Sequence, residues 1–282
     1  MGISSKVLLA AILSGATACA TMYMDITYAH PNKKPLLLDA EVPDGKGPFP
    51  AAIIVHGGSW INGTKTTYIH PLKPLLTNSG FAWFSIDYRL APQSRYPAAV
   101  EDVETAVHWV REHAKKYRVD PERICLIGES AGGYLVAMVA VRNKPASHVQ
   151  AVVDFYGPHD LTLVAKSAPK PDEGIAGFFG VADWSETSLK TLHDASPVNY
   201  VTKDMPPFLF IHGTADQMVP FPQSQLMCDA MKKASAACDV VKVEGADHGM
   251  ESWKGHDEWK PKMIDWLNTT LKVKAPLPAP SL

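Results

Sequence analysis

The 282-residue chain has no apolar run long enough to cross a bilayer. Its best candidate, beginning Val7-Leu8-Leu9-Ala10-Ala11-Ile12-Leu13, falls short of the roughly 20 residues a spanning helix needs. It has no basic cluster either. Lysine and arginine number 27 against 29 acidic residues, a net charge of −2, whereas nucleic-acid binding relies on a concentrated positive face. It contains neither H-E-x-x-H nor C-x-x-C, so no metal motif is present. Repeats and low-complexity linkers are missing, apart from a proline-rich tail after Lys274 that reads as frayed. What the chain does have is a 46% hydrophobic content, enough for a large core. That length can suggest two domains, but α/β folds of this size are commonly one.

The most informative segment is Gly128-Glu129-Ser130-Ala131-Gly132. It follows the apolar run Ile124-Cys125-Leu126-Ile127 and precedes Gly133-Tyr134-Leu135-Val136-Ala137-Met138. This reads as strand, sharp turn and helix, with a serine at the apex. Such a turn strains the backbone at the serine, lifts its oxygen clear of the sheet, and needs small neighbours. The helix that follows points its N-terminus at the place where negative charge would develop. A bare G-x-S-x-G pentad is common by chance; its flanks make this one informative.

Three further strand ends carry polar groups. Ala51–Val55 runs into His56-Gly57-Gly58-Ser59-Trp60, Phe208–Ile211 into His212-Gly213-Thr214-Ala215-Asp216, and Val240–Val243 into Glu244-Gly245-Ala246-Asp247-His248-Gly249. In a parallel sheet those ends share one edge, so distant residues converge there. The order of oxyanion loop, Ser130, Asp216 and His248 is that of α/β-hydrolases, and neither chymotrypsin nor subtilisin shares it. The expected fold is therefore a mostly parallel central sheet with helices on both faces. Asp247, Glu129 and Asp194 compete for the acid's role. Only Asp216 follows a strand before the final helix–strand unit, and Asp247 would point away from its neighbour's ring. His56 and His212 open tight turns and are expected to brace them. Asp87 and Arg89 are candidates for an internal ion pair under the oxyanion loop.

Several stretches together resemble bacterial serine esterases of the α/β-hydrolase superfamily. They are His56-Gly57-Gly58, Ser85-Ile86-Asp87-Tyr88-Arg89-Leu90-Ala91-Pro92, Tyr96-Pro97-Ala98-Ala99, the Ser130 elbow, His212–Asp216 and Asp247-His248-Gly249. The resemblance is nearest to hormone-sensitive-lipase-like esterases and the bacterial feruloyl and acetylxylan esterases beside them. Ser59 stands where hormone-sensitive-lipase relatives usually carry a third glycine, but it keeps a backbone N–H. His-Gly-Gly-x-Trp also resembles the loop of arylformamidases. The resemblance implies a Ser130–His248–Asp216 triad, an oxyanion hole from Gly58, Ser59 and Ala131, and no cofactor. It also implies a small-molecule or polysaccharide-linked ester substrate of acetyl or feruloyl type. Arylformamidase chemistry is the rival among enzymes. A non-catalytic, ligand-binding hydrolase fold is the rival of another class, and the retained His248 argues against it.

Residues 1–20 have the layout of a signal peptide: a lone Lys6, the apolar stretch from Val7, and Ala18-Cys19-Ala20 as an A-x-A cleavage site. Cleavage there leaves a catalytic domain of residues 21–282 in a secreted or periplasmic protein; lipidation of Cys19 is the alternative. Cys125 reads as a small buried apolar residue. Cys228 and Cys238 fall on a helix and on the strand that runs back beside it, so they are either disulfide-bonded or free.

The remaining chain alternates strands and helices. Residues 25–42 read as an antiparallel pair turning near Pro31–Pro35, and Pro97–Lys116 as a helix with Val100, Val103, Val107 and Val110 on one face. Residues 159–200 break the alternation at the point where this superfamily inserts a lid. The segment is short, which implies an open pocket. It is either pocket wall or a surface loop; Trp60, Phe179 and Trp184 are the candidate wall residues. A short lid, and no run of bulky apolar residues for a long acyl chain, favour short-chain or aryl esters.

Overall fold

The runs read as strands pair into one eight-stranded sheet. The strands are β1 (Ala20–Ala29), β2 (Leu36–Pro43), β3 (Phe49–Val55), β4 (Ala82–Ile86), β5 (Val119–Glu129), β6 (Ala151–Phe155), β7 (Phe208–Gly213) and β8 (Cys238–Val243). They come from a computed structural model that describes residues 20–273. Residues 1–19 of the expected signal peptide, the lipidation alternative at Cys19 and the proline-rich tail fall outside the described residues, while Ala20 opens β1. The helices are α1 (Leu72–Asn78), α2 (Ala98–Glu112), α3 (Ala114–Tyr117), α4 (Ala131–Arg142), α5 (Leu161–Ser167), α6 (Glu173–Phe179), α7 (Glu186–Asp194), α8 (Pro222–Lys233) and α9 (Trp259–Thr270).

Sheet order is β1-β2-β4-β3-β5-β6-β7-β8. The β1–β2 and β2–β4 pairs are antiparallel, and every pair from β4–β3 to β7–β8 is parallel. Register brings Val55 opposite Gly128, Glu129 opposite Phe155, Phe155 opposite Ile211 and Gly213 opposite Val243. The polar sequences after these strands therefore leave the sheet along one edge.

The central strands read as continuous apolar runs because both faces are covered. In β3, Ile53 and Val55 join one buried cluster with Val100, Val103, Val107 and Val110 of α2, Val136 of α4 and Met227 of α8. Ala52 and Ile54 join the opposite cluster with Leu72 and Leu76 of α1 and Trp259, Met263 and Leu267 of α9. Each buried aliphatic side chain of this kind is worth about 1.5–3 kcal/mol relative to exposure, so the strand alternation anchors the site's edge from both sides.

Two expectations need revision. The helix expected over Pro97–Lys116 is broken: α2 stops at Glu112, and His113 Nδ1 lies 2.8 Å from the Trp109 carbonyl before the short α3. The expected Asp87–Arg89 ion pair does not form. Asp102 of α2 faces Arg89 instead, taking its Nε at 2.9 Å and Nη2 at 2.8 Å, while Asp87 accepts the Lys65 N–H at 2.7 Å. Two residues apart, the side chains meet different neighbours. Cys228 on α8 and Cys238 at the start of β8 are disulfide-bonded across a Cα separation of 5.6 Å. Cys125 is a buried free thiol, its pKa pushed up to about 12 by burial.

Candidate active site

Ser130 sits between β5 and α4 at φ 53°, ψ −118°, a conformation disfavoured for a residue with a Cβ. The neighbouring Gly132 explains why small residues flank it. A Cβ there would run into the Val55 and His56 carbonyls, so the elbow can press against the end of β3 only without a side chain. The Ser130 N–H donates to the Phe155 carbonyl at 2.8 Å, which pins the turn to the next strand.

His248 comes from the loop after β8 and Asp216 from the loop after β7. The Ser130 hydroxyl lies 2.9 Å from His248 Nε2, and His248 Nδ1 lies 2.7 Å from Asp216 Oδ2. A carboxylate only accepts, so the proton on this side is on Nδ1 and Nε2 is the acceptor facing serine. Asp216 Oδ1 accepts the Met218 N–H at 2.9 Å and the Val219 N–H at 2.8 Å. Burial alone would raise the Asp216 pKa, but its bonds with His212 and His248 outweigh that and hold it well below the usual carboxylate range.

The competing carboxylates lie elsewhere. Asp247 Oδ1 accepts the Gln217 and His248 N–H groups, so it braces the loop backbone. Asp194 is an exposed residue paired with Lys190. Glu129 accepts the Gly57 N–H. The two turn histidines brace as expected. His212 bridges Ser224 Oγ and the Val219 carbonyl, each at 2.8 Å, and His56 Nδ1 meets the Gly57 carbonyl at 2.7 Å while its ring stacks on Tyr88 at 4.2 Å. Burial lowers the His56 pKa to about 4, so this ring stays neutral.

Gly58, Ser59 and Trp60 follow with positive φ of 106°, 52° and 62°, and this strained loop turns beside the elbow. Ser59 and Ala131 line the cleft next to Ser130; Gly58 is not among the lining residues. Trp60 lines it too, fixed by its indole N–H on the Ala131 carbonyl at 3.1 Å and by stacking on Phe178 at 5.1 Å. The other two expected wall residues do not line the cleft. Phe179 packs behind Trp60 at 5.4 Å, and Trp184 donates its indole N–H to the Ala168 carbonyl at 2.8 Å. Their ring surfaces are used to fasten α6 and the lid segment. Val164, Asp172 and Ile175 of the lid take wall positions, together with Met218 and Val219, around a cavity of about 70 Å³.

Sequence reasoning also missed Tyr156 and Trp253. The Tyr156 ring lies 4.6 Å from His248, edge to face, and its hydroxyl accepts the Met250 N–H at 2.9 Å. The Trp253 indole N–H donates to the Asp247 carbonyl at 2.6 Å. The only early signal was the aromatic density around the two loops. Among the described residues, no group of three or more His, Cys, Asp or Glu side chains is placed to hold a metal ion, and no helix is long and apolar enough to cross a membrane.

The family model BD-FAE matches residues 38–231, well over half of the chain and reaching from β2 into α8. The chain belongs to the BD-FAE family. Solved structures agree with this BD-FAE assignment and with an α/β-hydrolase fold. A truncated carbohydrate esterase from gut microbiota is 28% identical with a TM-score of 0.78, over 92% of this chain and 99% of that one. A propionate-bound esterase from Thermogutta terrifontis is 26% identical with a TM-score of 0.72, over 92% and 96%. Among curated relatives of this BD-FAE chain, the probable carboxylic ester hydrolase LipM of Mycobacterium tuberculosis is 32% identical over 68% of this chain and 47% of its own length. The BD-FAE chain thus spans about half the length of that relative.

Proposed function

We propose that this protein is a serine carboxylesterase that cleaves short-chain or aryl carboxylic esters, of acetyl or feruloyl type, through an acyl-enzyme on Ser130. The observation that carries the reading is the unbroken chain from Ser130 Oγ through His248 to Asp216, with bonds of 2.9 and 2.7 Å. His248 Nε2 takes the serine proton as Oγ attacks the ester carbonyl. Asp216 keeps the imidazole in the accepting tautomer and stabilises its cationic form. The Ala131 and Gly58–Ser59 N–H groups receive the oxyanion. Each such donor is typically worth about 3 kcal/mol in the transition state. The alcohol departs with the proton from His248, and water then cleaves the acyl-enzyme by the same route in reverse.

The small cleft supports a short acyl group. Trp60 and Ile175 wall it, and neither is free to swing: Trp60 is held at both ring and N–H, and Ile175 is part of α6. The relatives named above, an ester hydrolase and two esterases, support the reaction class. We further propose export by cleavage after Ala20; N-terminal sequencing of protein from its host should begin at or near Thr21. Nitrophenyl esters with acyl chains of about two to sixteen carbons, methyl ferulate and N-formylkynurenine test the substrate class. The highest kcat/KM is expected on the shortest chains or on methyl ferulate. A maximum at long chains contradicts the short-acyl reading, and a preference for N-formylkynurenine would make the protein an amide hydrolase.

A further inference from the structure

Glu129 is the last residue of β5, beside the nucleophile, and the mechanism above does not use it. Only 4% of it is exposed. Its carboxylate accepts the Gly57 N–H, and the nearby Tyr156 hydroxyl favours its charged form. Each partner leads somewhere that matters. Gly57 opens the oxyanion loop, and a Cβ at that position would collide with the Glu129 carboxylate. Tyr156, held at a positive φ of 44°, accepts the Met250 N–H two residues past His248 and sets its ring edge against the imidazole.

Both partners present hydrogens to Glu129. A protonated carboxyl can still accept through its carbonyl oxygen, but it loses the charge that makes these contacts strong and directional. Both contacts favour the anion. We propose that ionised Glu129 is a positioning residue that ties the oxyanion loop to the His248 loop, and that protonating it disables the site separately from protonating His248. This role rests on the serine-esterase reading.

Other charges around Glu129 act in both directions. Burial raises its pKa to about 7, against the lowering effect of the Gly57 N–H, His248 and Tyr156, and Glu251 adds a further rise. Tyr88, on the far side of the oxyanion loop, feels the Glu129 charge, and Tyr156 feels both Glu129 and Asp216. His56, stacked on Tyr88, is neutral. A carboxylate so placed changes charge within the working range of an imidazole base.

The test is the pH dependence of kcat/KM for 4-nitrophenyl acetate from about pH 5 to 9, in the wild type, Glu129→Gln, Tyr156→Phe and the double variant. Wild-type activity should fall on the acid side as a second-order function of proton concentration, because two groups must be unprotonated. Glu129→Gln keeps the shape and loses the charge. Its acid limb should become first order and its plateau should drop about tenfold, since displacement of a reacting group by ~1 Å can cost up to ~10²-fold. KM should stay within about twofold, because no substrate contact is removed. Tyr156→Phe should show the same plateau loss, and the double variant should be no worse than either single one. A Glu129→Gln protein with the wild-type plateau and limb overturns the proposal, as do losses that simply add. If Glu129→Gln does not fold, Tyr156→Phe decides alone: a wild-type kcat overturns the proposal. A wild-type protein that hydrolyses no ester and leaves Ser130 unlabelled by a phosphonate overturns the esterase reading, and this role with it.

Discussion

Replacing Asp216 by asparagine isolates the charge of the proposed triad acid while keeping its shape. In the native site Oδ1 accepts the Met218 and Val219 N–H groups, and Oδ2 faces His248 Nδ1 at 2.7 Å. The asparagine has one orientation available. If its amide nitrogen faced Met218 and Val219, three donors would converge with no acceptor. Its oxygen therefore stays on those two N–H groups, and its NH₂ points at the imidazole. Nδ1 must then accept, which moves the ring proton to Nε2, 2.9 Å from Ser130 Oγ. A protonated Nε2 cannot take the hydroxyl proton. The expected loss in kcat is on the order of 10³–10⁴-fold, or about 4–5.5 kcal/mol of transition-state stabilisation. KM should change little, because the cleft does not include Asp216. Steady-state hydrolysis of 4-nitrophenyl acetate, with circular dichroism to confirm the fold, measures this. Asp247→Asn is the control: its Oδ1 can keep both N–H bonds, so the loss should stay under about tenfold. A loss of less than tenfold in Asp216→Asn, or an equal loss in Asp247→Asn, would refute the reasoning.

Two further outcomes concern stability. The disulfide closes a short loop, its cysteines 10 residues apart, so the chain-entropy relation gives about 2.7 kcal/mol for it. Replacing Cys228 and Cys238 by serine should lower Tm by about 5–10 °C and leave kcat unchanged at 25 °C, since neither residue lines the cleft; thiol counts with and without reductant should differ by two in the native protein. Glu129 gives a pH-dependent effect of defined sign. Its pKa is raised from 4.5 to about 7 in the folded protein, so the folded state holds a proton that the unfolded state has released. Stability is favoured below about pH 4.5 and is lost as pH rises towards 7, by up to ~3 kcal/mol. Glu129→Gln lacks that loss, so its Tm relative to wild type should climb between about pH 4.5 and 7.5; a difference in Tm that stays flat over that range contradicts the assignment.

The sheet edge and the three residues on it were legible because local rules determine them. A strand, a pentad with glycines and a helix dictate the elbow, and an apolar run that ends in His-Gly-Thr-Ala-Asp or Asp-His-Gly puts a polar group at a strand terminus. The wall of the cleft was not legible, because it depends on how the lid folds back. At buried Gly174 of α6 a Cβ would come within 2.7 Å of the Ser59 Cβ and carbonyl, so α6 packs directly onto the oxyanion loop. That contact turns Ile175 towards the cleft and uses Phe178 and Phe179 to grip Trp60. Aromatic residues in a lid read as wall from sequence, yet here their rings are fasteners. The Asp87–Arg89 pairing failed for the same reason: the partner of Arg89 is Asp102, on a helix whose placement no local pattern reveals. Tyr156 escaped notice because its tie to Met250 spans 94 residues.

The central claim is that Ser130 is the nucleophile. Treatment with a serine-reactive phosphonate, followed by peptide mass spectrometry, tests it most directly. The account predicts one modified residue, Ser130, with ester hydrolysis lost in step with labelling, and neither label nor activity in Ser130→Ala. Labelling at another residue, or near-full activity in Ser130→Ala, would contradict it.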